Sequence, residues 1–101
     1  MNVTLIGGIS RLAPHYTEAA KASGHRLTIF TRYSKGMELR MGSADVLVLF
    51  TDHVSHSARA HAIDVARSKG ILLIQVHSCG VSTWKACLQS LVPPEAQLVR
   101  A

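Results

Sequence analysis

Short apolar runs alternate with longer amphipathic stretches along the chain. Four runs are rich in branched side chains, at residues 2–6, 26–30, 44–50 and 70–76. The third and fourth runs are almost continuously apolar, which is typical of strands that are buried on both faces of a parallel sheet. The pattern therefore predicts four β-strands.

The stretches between these runs carry helix signals. Pro14 suits a first helical turn, and Gly24 suits the position just past the end of that helix. Residues 35–43 predict a short second helix. The third and fourth helices are expected to begin after hydroxyl-bearing caps, at Ser55 or Ser57 and at Ser82 or Thr83. The last helix has an apolar face formed by Trp84, Cys87, Leu88 and Leu91.

This alternation of strands and helices predicts the fold class. The order β-α-β-α-β-α-β-α favours an α/β protein, an open three-layer sandwich with a parallel sheet, Rossmann-like or flavodoxin-like. We expect one domain over residues 1–101. The sheet has four strands, or five if residues 95–101 form a strand rather than a frayed tail.

Composition and charge narrow the classes of function. Hydrophobic residues make up 48% of the chain, so a disordered tail is excluded. The formal net charge of +5 favours anionic partners, but the basic residues form no stripe with aromatics, so specific nucleic-acid binding is not expected. No apolar run approaches a membrane span, and two cysteines make no disulfide framework, so we expect a cytoplasmic protein.

Candidate chemistry concentrates in the loops that follow the third and fourth strands. In an open parallel sheet, ligands bind beyond the carboxyl ends of the strands. The expected metal ligands there are His53, His56, His77 and Cys79, with Asp52 able to assist. This set predicts a binding or sensing domain for haem or for a transition metal, Zn or Fe. The alternative is that Asp52 or Ser55 caps a helix and the histidines are solvated.

Two other classes of function remain open. The first is an anion- or nucleotide-binding regulatory module in the same loops, with ligand-binding residues Gly7, Gly8, Ser10, Arg11, Thr51, Asp52, Ser55 and Ser78. The second is an enzyme of the Cys/His hydrolase type, with Cys79 or Ser78 as nucleophile and His56 or His77 as base. Non-catalytic binding is favoured over catalysis, and His56 is expected to be the residue most sensitive for function.

Several motifs together carry a resemblance to a known family. They are Gly7-Gly8 after the first strand, Tyr16 in the first helix, Ala44-Asp45, the turn Thr51-Asp52-x-x-Ser55-His56, and a serine-rich turn with Ser78, Gly80, Ser82 and Thr83. With these residues, most of residues 2–92 resembles a bacterial family, the domain of unknown function 2325. The resemblance implies a Rossmann-like domain. Many relatives have a cysteine in the third helix, where this chain has none.

A short sheet with exposed edges also predicts self-association. Proteins usually cover or pair such edges, and small domains often gain stability by pairing. We expect a homodimer, formed through the last helix (Trp84, Leu88, Leu91) or through the segment after Pro93-Pro94.

Overall fold

The computed structural model describes residues 1–91 and contains four strands and four α-helices. The strands are β1 (Asn2–Ile6), β2 (Arg26–Phe30), β3 (Val46–Phe50) and β4 (Leu72–Val76). The helices are α1 (Ala13–Ala22), α2 (Met37–Met41), α3 (His56–Lys69) and α4 (Val81–Ser90), and a 3₁₀ turn over Ser10–Leu12 precedes α1. All eight predicted elements are therefore confirmed, and residues 95–101 lie outside the described part.

All four strands are parallel, in the order β2-β1-β3-β4. Leu5 of β1 pairs with Ile29 of β2 on one side and with Val48 of β3 on the other. This order matches the first four strands of the flavodoxin-like sheet, so the predicted fold class is confirmed. It also makes β3 and β4 neighbours, as the sequence-based interpretation of a shared site requires.

Alternate residues of the central strands face two separate cores. Val46, Val48 and Phe50 pack with α1 and α4, whereas Leu47 and Leu49 pack with α2 and α3. Every residue of β3 is buried, because helices cover both faces of this strand.

The prediction that β4 is buried on both faces is wrong. Leu72 is 62% exposed and Gln75 is also exposed, because β4 is an edge strand of the described sheet. A continuous apolar run therefore marks a strand of a parallel sheet, but it does not distinguish the centre of the sheet from its edge.

The helix ends match the expected capping chemistry except in α4. The Ser55 hydroxyl caps α3 by accepting a hydrogen bond of 3.1 Å from the Ala58 amide, and Gly70 ends α3 in the left-handed conformation. The predicted caps of α4, Ser82 and Thr83, are wrong because that helix already begins at Val81, after Gly80.

The apolar face of α4 is used within the chain itself. Trp84, Leu88 and Leu91 are buried in the core that α1 and α4 form with the sheet. They are therefore not free to form the dimer interface that the sequence suggested. The segment after Pro93-Pro94, the other suggested interface, lies outside the described residues. The homodimer itself stays a prediction.

The turn after β1 is held tightly against the loop that follows β3. Gly7 and Gly8 have φ of 95° and 90°, which favours glycine. The Gly8 amide donates a 2.8 Å hydrogen bond to the His53 carbonyl, and the Gly7 amide donates one to the Phe30 carbonyl. A Cβ atom at Gly7 would lie 2.5 Å from the His53 carbonyl oxygen. The two glycines thus let the β1 and β3 loops touch.

None of the helices in the part of the chain that the structure describes is long and apolar enough to cross a membrane.

We expect Gly7→Ala to destabilise the protein more than Gly24→Ala. Both positions have positive φ, which costs an alanine about 1 kcal/mol or more, but only at Gly7 does the new Cβ meet backbone atoms. A Cβ atom at Gly24 would have no neighbour within 4 Å, so this position is the matched control for backbone strain alone. Urea unfolding measures both variants. Equal losses in the free energy of unfolding would contradict the close approach at Gly7.

Candidate metal centre

Three potential metal ligands converge at the carboxyl ends of β3 and β4. Asp52 and His53 follow the end of β3 at Phe50, and Cys79 follows the end of β4 at Val76. The ligand atoms of the three side chains all lie within 4.8 Å of one another. We call Asp52, His53 and Cys79 the triad. It joins neighbouring strands because parallel strands end at the same edge of the sheet.

Two of the three distances between ligand atoms of the triad suit a single small ion. Cys79 Sγ lies 3.4 Å from His53 Nδ1, and His53 Nδ1 lies 3.6 Å from Asp52 Oδ2. Around a tetrahedral zinc ion, bonds of about 2.3 Å to sulfur and about 2.0–2.2 Å to nitrogen or oxygen separate such ligand atoms by roughly 3.3–3.7 Å. The two distances therefore lie close to those that a bound ion would impose.

The side chains of His53 and Asp52 are accessible to solvent, whereas Cys79 is buried. The His53 side chain is 55% exposed and that of Asp52 is 28% exposed, while Cys79 is buried. Burial raises the pKa of the Cys79 thiol above its ordinary value, and the Asp52 carboxylate raises it further. At neutral pH the thiol is therefore protonated, and a cation is needed to stabilise the thiolate.

Two buried aromatic residues, Tyr16 and Trp84, hold the Cys79 backbone in place through hydrogen bonds. The Tyr16 hydroxyl donates a hydrogen bond of 2.5 Å to the Cys79 carbonyl. The Trp84 indole N–H donates a 2.9 Å hydrogen bond to the Tyr16 carbonyl. The Cys79 amide in turn donates to Asp52 Oδ2 at 3.2 Å. The sequence pattern alone assigned Tyr16 no role in the site. Tyr16 does belong to the pattern shared with the family, and that is the signal by which it could have been found.

Among the predicted metal ligands, the structure brings His53 and Cys79 together and adds Asp52. His56 is the first residue of α3 and His77 follows β4; both are exposed, and neither belongs to the triad. Their roles as ligands, and the expected sensitivity of His56, stay predictions.

Most of the residues predicted to bind an anion form hydrogen bonds within the chain. The amides of Gly7 and Gly8 are used as described above, and the Thr51 amide donates to the Val76 carbonyl. Side-chain contacts are Ser10 to Thr31, Ser55 to the Ala58 amide, and Ser78 to the Gly80 amide. Arg11 lies in the 3₁₀ turn, exposed. Anion binding at these residues stays a prediction.

The geometry of the triad differs from that of a thiol catalyst. In a Cys-His-Asp relay, the nucleophile and the carboxylate contact opposite nitrogens of the imidazole. Here Cys79 Sγ and Asp52 Oδ2 both approach Nδ1 of His53. Together with the raised thiol pKa, this arrangement favours convergence on an ion over proton transfer.

Two cavities of the described residues lie away from the triad. One, of about 550 Å³, lies between α2 and α3, with Glu38, His61 and Lys69 in its walls. The other, of about 250 Å³, lies between α1 and α4, with His15 and Lys85 in its walls. Neither is lined by a triad residue.

Comparison with known proteins identifies a family. The family model described as an uncharacterized protein conserved in bacteria (DUF2325) matches residues 2–91, which is most of the chain. The match confirms the resemblance carried by the early glycine pair and the Thr51–His56 turn. No curated protein and no solved structure matches the chain.

We expect Tyr16→Phe to lower the free energy of unfolding by about 1–3 kcal/mol, because the buried Cys79 carbonyl loses its hydroxyl donor. Tyr33→Phe is the matched control, since Tyr33 is 41% exposed and its hydroxyl forms no hydrogen bond within residues 1–91. It should change stability by less than about 0.5 kcal/mol. Chemical denaturation of both variants makes the comparison. Equal stability of the two variants would contradict the role of the Tyr16 hydroxyl.

Proposed function

We propose that this chain, which belongs to the DUF2325 family of bacterial proteins, is a small sensing or binding domain that holds one transition-metal ion through Asp52, His53 and Cys79. The observation that carries the proposal is the convergence of a carboxylate, an imidazole and a thiol on one point. Cys79, which supplies the thiol, lies 26 residues after His53 and 27 residues after Asp52 in the sequence.

The donor set favours Zn(II) or Fe(II) among the common ions. Thiolate and imidazole ligands suit these metals, whereas Mg(II) and Ca(II) prefer oxygen ligands alone. Zinc with three protein ligands keeps a fourth position open to water or to an exogenous ligand. A site of this kind suits reversible binding, because one side of the triad is accessible.

The proposal concerns the ion itself rather than haem. A porphyrin needs a large apolar cavity beside its axial ligand, and the two cavities described above contain no residue of the triad. An absorption spectrum of the purified protein distinguishes the two cofactors, because bound haem gives a porphyrin band and a bound zinc ion gives none.

Zinc affinity is expected to depend on the triad. Competition with a chromophoric chelator should show stoichiometric zinc binding that weakens at least about 100-fold in Cys79→Ser, because a hydroxyl is a poor substitute for a thiolate. His53→Ala should weaken binding at least about tenfold, because the triad loses one of its three ligands.

Two control variants distinguish the loss of a triad ligand from the loss of any thiol or imidazole in the chain. Cys87→Ser changes the other free cysteine, and His25→Ala changes a histidine before β2, at the opposite edge of the sheet. Both should keep the affinity of the unmodified chain. If the chain binds no zinc, or if Cys87→Ser weakens binding as much as Cys79→Ser, the proposal is wrong.

Zinc affinity should rise with pH between about pH 7 and 8.5. The raised pKa of Cys79 leaves its thiol protonated in this range, so binding must release a proton, and mass action then gives up to about a tenfold gain per pH unit. Chelator competition at several pH values measures the slope. Calorimetry in two buffers of different ionisation enthalpy counts the protons, and an affinity independent of pH would contradict ligation by the thiol.

A further inference from the structure

The sheet edge that bears the triad carries an excess of positive charge. The segments 7–12, 31–36, 51–55 and 77–80 connect the carboxyl end of each strand to the following α-helix. They contain the basic residues Arg11, Arg32 and Lys35, but only one acidic residue, Asp52. The first turn of α3 adds Arg59, and the short helix α2 carries both Glu38 and Arg40. The only carboxylate in these four segments is thus a member of the triad.

Contacts between the loops connect this positive edge to the triad. The Gly8 amide binds the His53 carbonyl, which places the β1 turn against the triad loop. The Ser10 hydroxyl donates to Thr31 Oγ1 at 3.1 Å, which joins the β1 turn to the β2 loop. Arg11 and Arg32 are the residues next to this hydroxyl pair, and Arg59 lies in the first turn of α3.

The side chains of Arg11, Arg32, Lys35 and Arg59 are exposed, and none forms an ion pair with a residue of the described range 1–91. Their field is therefore not neutralised locally. A divalent ion bound to one carboxylate and one thiolate leaves the triad without net charge, so the edge would stay positive after the metal binds. Neighbouring strands are about 4.8 Å apart, so the end of β1 lies within the Debye length of about 8 Å from the end of β3 at physiological salt, whereas the end of β2 lies roughly 10 Å from it.

We propose that the open coordination position of the triad-bound metal takes a small oxyanion of the phosphate class, drawn and held by the positive edge. This inference rests on the proposed metal binding and names the ligand that the site would sense. The oxyanion supplies the fourth ligand atom, and the arginines contribute charge rather than coordination.

Cobalt(II) is the probe, because its visible spectrum changes when a ligand enters its coordination shell. The cobalt-loaded chain is titrated with inorganic phosphate, and in a second arm with adenosine monophosphate. Both should shift the spectrum in a saturable way. Tighter binding of adenosine monophosphate would indicate that the site recognises a phosphate group on a larger molecule. Equal affinities would indicate that free phosphate is sufficient for binding.

Charge variants test the contribution of the positive edge. Arg11→Gln and Arg32→Gln should each weaken phosphate binding about two- to fivefold, and the double variant should weaken it about tenfold. Arg26→Gln, at the start of β2 and thus at the opposite edge, is the matched control and should have no effect. Cobalt should bind all four variants stoichiometrically and no more weakly than it binds the unmodified chain, because removing a positive charge does not disfavour a cation. This binding also shows that the variants are folded.

The two proposals fail in different ways. If the unmodified chain does not bind cobalt, the proposed function is wrong, and this inference with it. If cobalt binds but neither anion changes its spectrum, only the oxyanion inference is overturned. Equal weakening by Arg26→Gln and Arg11→Gln would also overturn it, because the effect would then come from net charge rather than from the edge.

Discussion

The contact between the β1 turn and the β3 loop is the constraint on which the candidate site depends. Gly7 has no side chain, and its backbone lies so close to the His53 carbonyl that a Cβ atom would overlap it. The Gly8 amide then binds that carbonyl. The His53 backbone is therefore fixed by β1, which leaves the imidazole at the accessible edge beside the end of β4. The glycine pair thus contributes to the geometry of the site by allowing the β1 turn and the β3 loop to pack closely.

The other half of the site depends on the aromatic core beneath it. Tyr16 lies 5.6 Å from Phe50 and 6.1 Å from Trp84, measured between ring centroids, and its hydroxyl reaches the Cys79 carbonyl. Phe50 ends β3, and Trp84 lies on α4, so the same cluster holds the elements that flank the triad. Burying the thiol costs free energy for its charged form, and a bound cation would offset that cost. The apo protein would thus keep a neutral thiol in place until a metal arrives.

Much of the fold was predictable because apolar periodicity and turn residues act locally. The fully apolar Val46–Phe50 run predicted a buried strand, and Ser55 predicted the start of α3. The exposure of Leu72 was not predictable from the sequence. The apolar run of β4 resembles that of β3, and the position of a strand within the sheet depends on the whole chain. The sequence indicated the two loops that hold the triad, but which of His53, His56 and His77 meets Cys79 depends on loop conformation. The hydrogen bond from the Gly8 amide to the His53 carbonyl helps to fix that conformation, and apolar periodicity does not predict such a contact.

The coordination shell of the zinc-loaded protein tests the central claim most directly. X-ray absorption at the zinc edge resolves sulfur ligands, at about 2.3 Å, from nitrogen and oxygen ligands, at about 2.0–2.2 Å. The proposed site predicts one sulfur and three lighter ligands in a tetrahedral shell, with a histidine contribution from His53. A shell without sulfur would place the metal away from Cys79 and would contradict the proposed function.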